Sequence, residues 1–451
     1  MNALTGTLLA AAALLPSAAG AGLTIPFAKY RLGNGLRVIL SRDTSAPVVA
    51  VYVIYDVGAR HEEKGRSGFA HLFEHMMFQG SANAPKGVHF RTVEANGGDL
   101  NGSTHADYTD YFETLPSNKL PVALWLESDR MRSLAITDAN LANQKEAVKE
   151  ERRMRMDNRP YVTAIVDAFP KLVFQNWQNS HTMIGSFEDL NAAGTADVAK
   201  FFKTHYAPNN AVLVLAGDFE AAEAKRWIET YFADIPAQPR PKLPDTSEPA
   251  AAGPRWEKYD DKLAQVPGVI VSWPGPKRRS PDYYALSMLD AVLTAGNSSR
   301  FKLELVKGKE SVVSVEANLG WPYGSARDYR EPGVYSIFAV HKPAFTARQV
   351  VEQIGGEIDR IRKEGVPAKE LARVKAYLES SAILELQGVM RRAAVLGQYE
   401  IFDGDPSFVN TEMDKLLAVG AEEVKAAAAR YLTARRRSVL EIAVSPKKEG
   451  N

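Results

Sequence analysis

The chain has 451 residues, too many for one ordinary core, so two or more domains are expected. A hydrophobic content of 45% with 24% charged residues is that of a soluble globular protein, and a formal net charge of +1 gives no reason to expect nucleic acid as a partner. The absence of cysteine excludes disulfides, thiolate ligands and cysteine nucleophiles, so any metal must be held by histidine and carboxylate.

In chain order, the first element is a short apolar run, Leu8 to Leu15, followed by Pro16 and the small-residue signature Ala19-Gly20-Ala21. This reads as a cleavable leader over residues 1–21 and hence as export to the periplasm, although no Lys or Arg precedes the run. The alternative is an Ala-rich leader on a cytoplasmic protein. The run is too short to span a bilayer and no other segment is long and apolar enough, so no integral membrane span is expected. An Asn34-Gly35 turn then introduces strands at 36–40 and 48–55. Helical patterns follow at 67–79, 118–134 and 138–157, and a strand at 211–216 closes before Gly217-Asp218. From Pro236 to Pro254 the chain carries prolines at 236, 239, 241, 244, 249 and 254 with no helical or strand period, which marks residues 236–256 as a linker.

The halves on either side, 22–235 and 257–451, are each a comfortable domain size. The second half repeats the order of the first. Strands are expected at 269–273, 312–317, 334–340 and 438–444, and helices at 282–293, 346–365, 367–385 and 388–402. A further helical pattern, Val424 to Tyr431, precedes Arg435-Arg436-Arg437, whose cations suit a helix C-terminus better than a bound anion. Strands and helices alternate in loose blocks rather than strict βαβ units, so the class is α+β with two similar domains.

The chemistry concentrates between Ser67 and Gly80, where the chain reads Ser-Gly-Phe-Ala-His71-Leu-Phe-Glu74-His75-Met-Met-Phe-Gln-Gly. On a helix, His71 and His75 lie one turn apart on one face, where both can ligate one metal ion, and Glu74 sits on the same side within reach of a metal-bound water. Ser67 is a fair N-cap, Gly80 suits the position after the last turn, and Phe69, Leu72, Phe73, Met76 and Phe78 would pack against a core. The competing reading makes both histidines satisfied partners on an amphipathic helix and Glu74 a solvated charge.

A catalytic zinc takes three protein ligands and keeps one position open. The helix from Leu141 to Arg153 offers Glu146, Glu150 and Glu151. Glu151 follows Val148 by three residues, Ala147 by four and Gln144 by seven, which places it on the less charged, core-facing stripe. It is the best candidate for a third ligand, although carboxylates beside Arg152 and Arg153 are also common as solvated pairs.

The inverted H-x-x-E-H, followed some seventy residues later by Val148-x-x-Glu151, resembles the pitrilysin/insulinase-type inverzincin metallopeptidases. Gly98-Asp99-Leu100-Asn101-Gly102-Ser103-Thr104, Thr109-Asp110-Tyr111, Asp157-Asn158-Arg159-Pro160-Tyr161, Ile184-Gly185 and Tyr206-Ala207-Pro208-Asn209-Asn210-Ala211 fit the same pattern, which covers essentially the whole chain after the leader. The resemblance is strongest to the short bacterial members, similar to the zinc-carrying subunit of mitochondrial processing peptidase. It implies two α+β domains, each a mainly antiparallel sheet covered by helices. It also implies one Zn2+ per chain on His71, His75 and Glu151, with Glu74 as general base. Asn101 and Gly102 would lie on an edge strand that pairs with an extended peptide substrate.

Two departures stand out. Gln144 occupies a position that is often acidic in such proteins. An Arg and a Tyr seven apart, which reach the substrate from the second half, are replaced by Val306 and Val313. Valine donates no hydrogen bond. The expectation is therefore a zinc endopeptidase acting on peptides or unfolded chains, the metal-bearing member of a heterodimer whose related partner lacks H-x-x-E-H and supplies the Arg/Tyr pair. Arg330 with Tyr329 or Tyr335 could instead compensate within the chain. The alternatives are a non-catalytic structural subunit of a larger assembly and a metal-binding module without proteolysis.

Overall fold

The computed structural model describes residues 24–249, 253–322, 324–325 and 327–445; the leader expected at 1–21 lies outside them. Strands β1 (Ala28–Arg31), β2 (Arg37–Arg42), β3 (Val48–Tyr55), β4 (Asp99–Thr104), β5 (Thr109–Pro116) and β6 (Ala211–Gly217) form one sheet in the order β1-β2-β6-β3-β5-β4. Strands β7 (Arg255–Asp261), β8 (Gly268–Pro274), β9 (Val312–Leu319), β10 (Val334–His341) and β11 (Ser438–Val444) form the other, ordered β7-β11-β8-β10-β9. Each sheet has one parallel pair, β2 with β6 and β7 with β11, and is otherwise antiparallel. The expected α+β class with two mainly antiparallel, helix-covered sheets is what the molecule shows.

The central strands explain the cores. β3 (VVAVYVIY) and β6 (AVLVLAG) are apolar without alternation because both of their faces are covered. On one face Val49, Val51, Val53, Leu213 and Leu215 pack against α1 (Phe69–Met76), α3 (Leu120–Ser133) and α4 (Asp138–Arg152), with α2 (Val88–Ala95) at the margin. On the other face Ala50, Tyr52, Ile54, Val212 and Val214 meet Ala393, Val395, Leu396 and Tyr399 of the helix Val389–Asp403, which belongs to the second half of the chain. Gly397 lets that helix approach closely: a Cβ there would lie 2.8 Å from the Tyr52 ring. The exchange is mutual. Ile270, Leu440 and Ile442 of the second sheet are covered by Ala164, Phe169, Leu172 and Phe174 from the first half. Residues 236–249 of the expected linker carry no helix or strand and are tied down, with Thr246 donating to the Glu331 carbonyl (2.9 Å) and Glu248 accepting from the Gln175 amide (2.8 Å).

Several boundaries differ from the expectation. The helix expected at 67–79 is the shorter α1, and its N-cap is Gly68 rather than Ser67, whose hydroxyl instead donates to Asp189 (2.5 Å). The helix expected at 138–157 ends at Arg152 and opens into a wider π-type turn at Arg153–Asp157. The strand pattern does not mark β4 or β5, although the family resemblance places Asn101 and Gly102 on an edge strand; β4 (DLNGST) is rich in residues disfavoured in strands and takes its conformation from pairing with β5.

Candidate metal centre

α1 and α4 pack side by side and bring three ligand-type side chains together. α1 projects His71 and His75 from one face, their rings 4.8 Å apart between centroids, while Phe69, Leu72, Phe73 and Met76 bury the opposite side. α4 begins at Thr137, whose hydroxyl caps the Asn140 amide (3.1 Å), and delivers Glu151 in its last turn. Glu151 Oε2 lies 3.2 Å from His75 Nε2 and 3.6 Å from His71 Nε2. One ligand atom from each of the three residues falls within a 4.8 Å circle. The other two acids of the helix point outward: Glu146 is 69% exposed and pairs with Lys149, and Glu150 is 58% exposed and pairs with Arg153.

Gln144 sits two stripe positions, seven residues, before Glu151, and its Oε1 lies 3.2 Å from His75 Nδ1. An amide oxygen only accepts, so Nδ1 carries a proton, which leaves Nε2, the nitrogen facing Glu151, as the atom that would bind a metal. The departure from the acidic pattern thus leaves a neutral acceptor that fixes the tautomer. Glu74 receives the Thr104 hydroxyl of β4 at 2.6 Å on Oε2. Burial pushes its carboxyl up to about 7, against the Thr104 hydrogen bond. Burial and the neighbouring His75 take His71 down to about 4. Burial acts to lower His75, but the hydrogen bond it donates to Glu151 and the negative charges of Glu74 and Glu151 together outweigh it, and its net direction is upward. Glu151 is lowered, chiefly by its bond to His75. The pocket favours one positive charge beside Glu151 and resists a second on the other imidazole.

Two imidazole nitrogens and one carboxylate oxygen at this spacing fit a zinc-type ion and do not suit Ca2+ or Mg2+, which prefer oxygen donors. His71, His75 and Glu151 are the residues that would hold it. His89, Glu113 and Glu127 also converge. There, however, Arg130 Nε sits 3.0 Å from Glu127 and supplies the cation itself.

Asn101 and Gly102 lie on β4, which is the edge of its sheet; Asn101 is exposed and its side-chain oxygen accepts the Gly102 amide (2.9 Å). Because Thr104 is on the same strand, the open edge is joined directly to Glu74. Val313 is 57% exposed on β9 and Val306 packs partly against the second core. The residues that could have compensated are held elsewhere. Arg330 pairs with Asp56 (2.7 Å), the Tyr335 hydroxyl donates to Asp290 (3.2 Å), and Tyr329 is buried against Gly333. The sequence reading missed Thr104 as a partner of Glu74, and Glu62, which accepts amides at the start of α1. No sequence signal points to Glu62, because the sequence offers Ser67 as the cap and the structure places Gly68 there.

A short helix bearing His-x-x-Glu-His beside a carboxylate-bearing helix, in a two-sheet α+β chain, is the arrangement of the inverzincin class. The chain belongs to peptidase family M16: residues 37–185 match the model described as Insulinase (Peptidase family M16), and residues 194–378 match Peptidase M16 inactive domain. Zinc protease PqqE of Helicobacter pylori is 25% identical over 404 residues, covering 87% of this chain and 89% of that protein. Mitochondrial-processing peptidase subunit beta of Lentinula edodes is 23% identical over 409 residues, covering 89% of this chain and 86% of that protein. The crystal structure of a protease from Helicobacter pylori superimposes with a TM-score of 0.87 at 24% identity, covering 94% of this chain and all of that one (100%), a likeness of fold.

Proposed function

We propose that the chain is a zinc-dependent endopeptidase that hydrolyses peptides or unfolded polypeptides. One zinc ion per chain is held by His71, His75 and Glu151. The observation that carries this reading is the convergence of those three side chains beside a buried carboxyl, Glu74, held at Oε2 by the Thr104 hydroxyl. When bound, zinc supplies Lewis acidity and a water of lowered pKa. Glu74 is the general base: its carboxylate takes a proton from the attacking water and returns it to the leaving amine. Thr104 holds Oε2 and leaves Oε1 to face the reacting atoms. An extended substrate adds to the free edge of β4 at Asn101 and Gly102, which carries its scissile bond along the strand toward Thr104 and Glu74.

The halves contribute unequally. Val306 and Val313 donate nothing to a developing oxyanion, and Arg330, Tyr329 and Tyr335 are engaged elsewhere, which supports a heterodimer whose related partner, lacking H-x-x-E-H, supplies an Arg/Tyr pair. A relative named as a subunit is consistent with this. The leader pattern at 1–21 supports a periplasmic location. A purely structural subunit is disfavoured because the metal-ligand set and its base are complete. The Glu74→Gln variant should retain zinc and lose peptide hydrolysis; hydrolysis at the parent rate refutes the mechanism. If the purified chain alone cleaves a peptide library as fast as any complex, the heterodimer is refuted.

A further inference from the structure

The turn that carries His71 has no cap of its own. α1 starts from Gly68, with φ of +83° and no side chain to accept an amide, and its first turn contains no acidic residue. The acceptor comes from outside the helix. Glu62, fully buried, accepts the Gly68 amide at Oε2 and the Ala70 amide at Oε1, both at 2.8 Å. His71 follows Ala70 directly. The first of the candidate metal ligands therefore projects from backbone that Glu62 holds.

Glu62 is itself held. His181 Nε2 lies 3.0 Å from Glu62 Oε2, and His181 Nδ1 lies 2.8 Å from the Trp177 carbonyl oxygen. A carbonyl only accepts, so Nδ1 carries a proton; Nε2 faces a carboxylate and carries the second. The imidazolium so defined lies flat on the Trp177 ring, with centroids 3.9 Å apart and planes at 4°. A buried anion at a helix N-terminus is thus matched by a buried cation, the condition under which such a pair persists.

The segment that follows His181 reaches both ligand-bearing helices. Gly185 lies back to back with Gly68: a Cβ on Gly68 would fall 2.6 Å from the Gly185 Cα, and one on Gly185 2.4 Å from the Ser67 carbonyl oxygen. The Ser186 amide donates to the Ser67 hydroxyl (3.1 Å). On the other side, Arg152 donates to the Gly185 carbonyl (2.6 Å), and Arg152 is the residue after Glu151. Residues 181–186 therefore touch the start of α1, one turn before His71, and α4 at the residue after Glu151.

We propose that Glu62 and His181 are positioning residues for the metal centre, fixing the first turn of α1 and, through residues 181–186, the separation of His71 and His75 from Glu151. The proposal rests on the zinc reading above. Neither residue touches the reacting atoms; both act through the backbone that aims the ligands.

The test is a zinc dissociation constant, measured by competition with a chromophoric chelator on the full-length chain and its variants, together with kcat and KM at saturating zinc. Glu62→Gln and His181→Ala should each weaken zinc by about 10- to 100-fold, the effect of losing a partner that orients a ligand. Both should lower kcat with KM unchanged. His181→Gln, which keeps an N–H donor for Glu62, should recover part of the loss. A purely structural pair would instead lower the melting temperature of the zinc-free protein and leave the zinc dissociation constant at the parent value. That outcome in both variants overturns the proposal. If Glu62→Gln does not fold, His181→Ala, which leaves Glu62 on the helix, decides by the same criterion. A parent chain that binds no zinc overturns the proposed function itself, and the parent titration distinguishes that failure.

Discussion

Gln144 offers the sharpest quantitative test of the metal centre. Its Oε1 is 3.2 Å from His75 Nδ1 and the residue is 7% exposed, so Gln144→Leu removes the acceptor and leaves the Nδ1–H without a water to replace it. Loss of a neutral hydrogen bond costs ~1 kcal/mol and stranding a buried donor costs ~1–3 kcal/mol more. The metal-free protein avoids part of this by moving the proton to Nε2, the atom that zinc needs. About 2 kcal/mol of the cost therefore appears in zinc affinity, a ~30-fold rise in the dissociation constant. Gln144→Glu restores an acceptor and makes it charged, which is worth ~1 kcal/mol over the neutral bond, or ~5-fold tighter zinc than the parent. The assay is chelator competition at pH 8, where protons compete least for the imidazoles. Equal zinc affinity of folded Gln144→Leu and the parent would refute the reasoning, because the tautomer of His75 would then be set by something other than Gln144.

Thr104→Val should keep zinc and lower kcat by about 10-fold or more, the worth of a charge-assisted hydrogen bond, while Thr104→Ser restores it; single-turnover peptide cleavage reads both. Asp290 bears on pH dependence: burial raises its carboxyl from 3.8 to about 7. The folded form then binds the extra proton between those values, so stability falls as pH rises from about 4 to about 7 and stays reduced above. Three units correspond to ~4 kcal/mol, reduced to about 2 because a cavity of about 500 Å3 brings water to the group. Asp290→Asn should raise the urea midpoint clearly at pH 8 and little at pH 5, and equal gains at both would contradict the assignment. Gly397→Val drives a side chain into Tyr52 and should cost about 1–3 kcal/mol in thermal or urea unfolding.

The candidate metal site was legible in the sequence because both of its helices obey the same 3.6-residue period. The spacing of His71 and His75 aims both rings at one point, and the stripe through Gln144, Val148 and Glu151 selects one acid of three. What the sequence hid has local causes. β4 reads as turn material because Asp99, Asn101 and Gly102 oppose strand formation, and its pairing with β5 overrides them. Glu62 acts on α1 across a loop, so no periodic pattern points to it. Ser67 is a good cap by type, yet Asp189, far along the chain, claims its hydroxyl and leaves the cap position to Gly68.

The mutual covering of the two sheets constrains how this chain can be divided. The helix Val389–Asp403 seals the outer face of the half that carries His71, His75 and Glu151, and the segment around Phe169 and Leu172 seals that of the other. A single proteolytic cut within residues 236–249 would therefore yield two fragments that stay clasped, each completing the core of its companion. Either fragment made alone would present a bare apolar sheet to water. The half without the metal motif is a wall of the half that carries it. Substitutions near Tyr399 or Leu396 can thus disturb the candidate metal centre by loosening the far side of the sheet on which α1 rests.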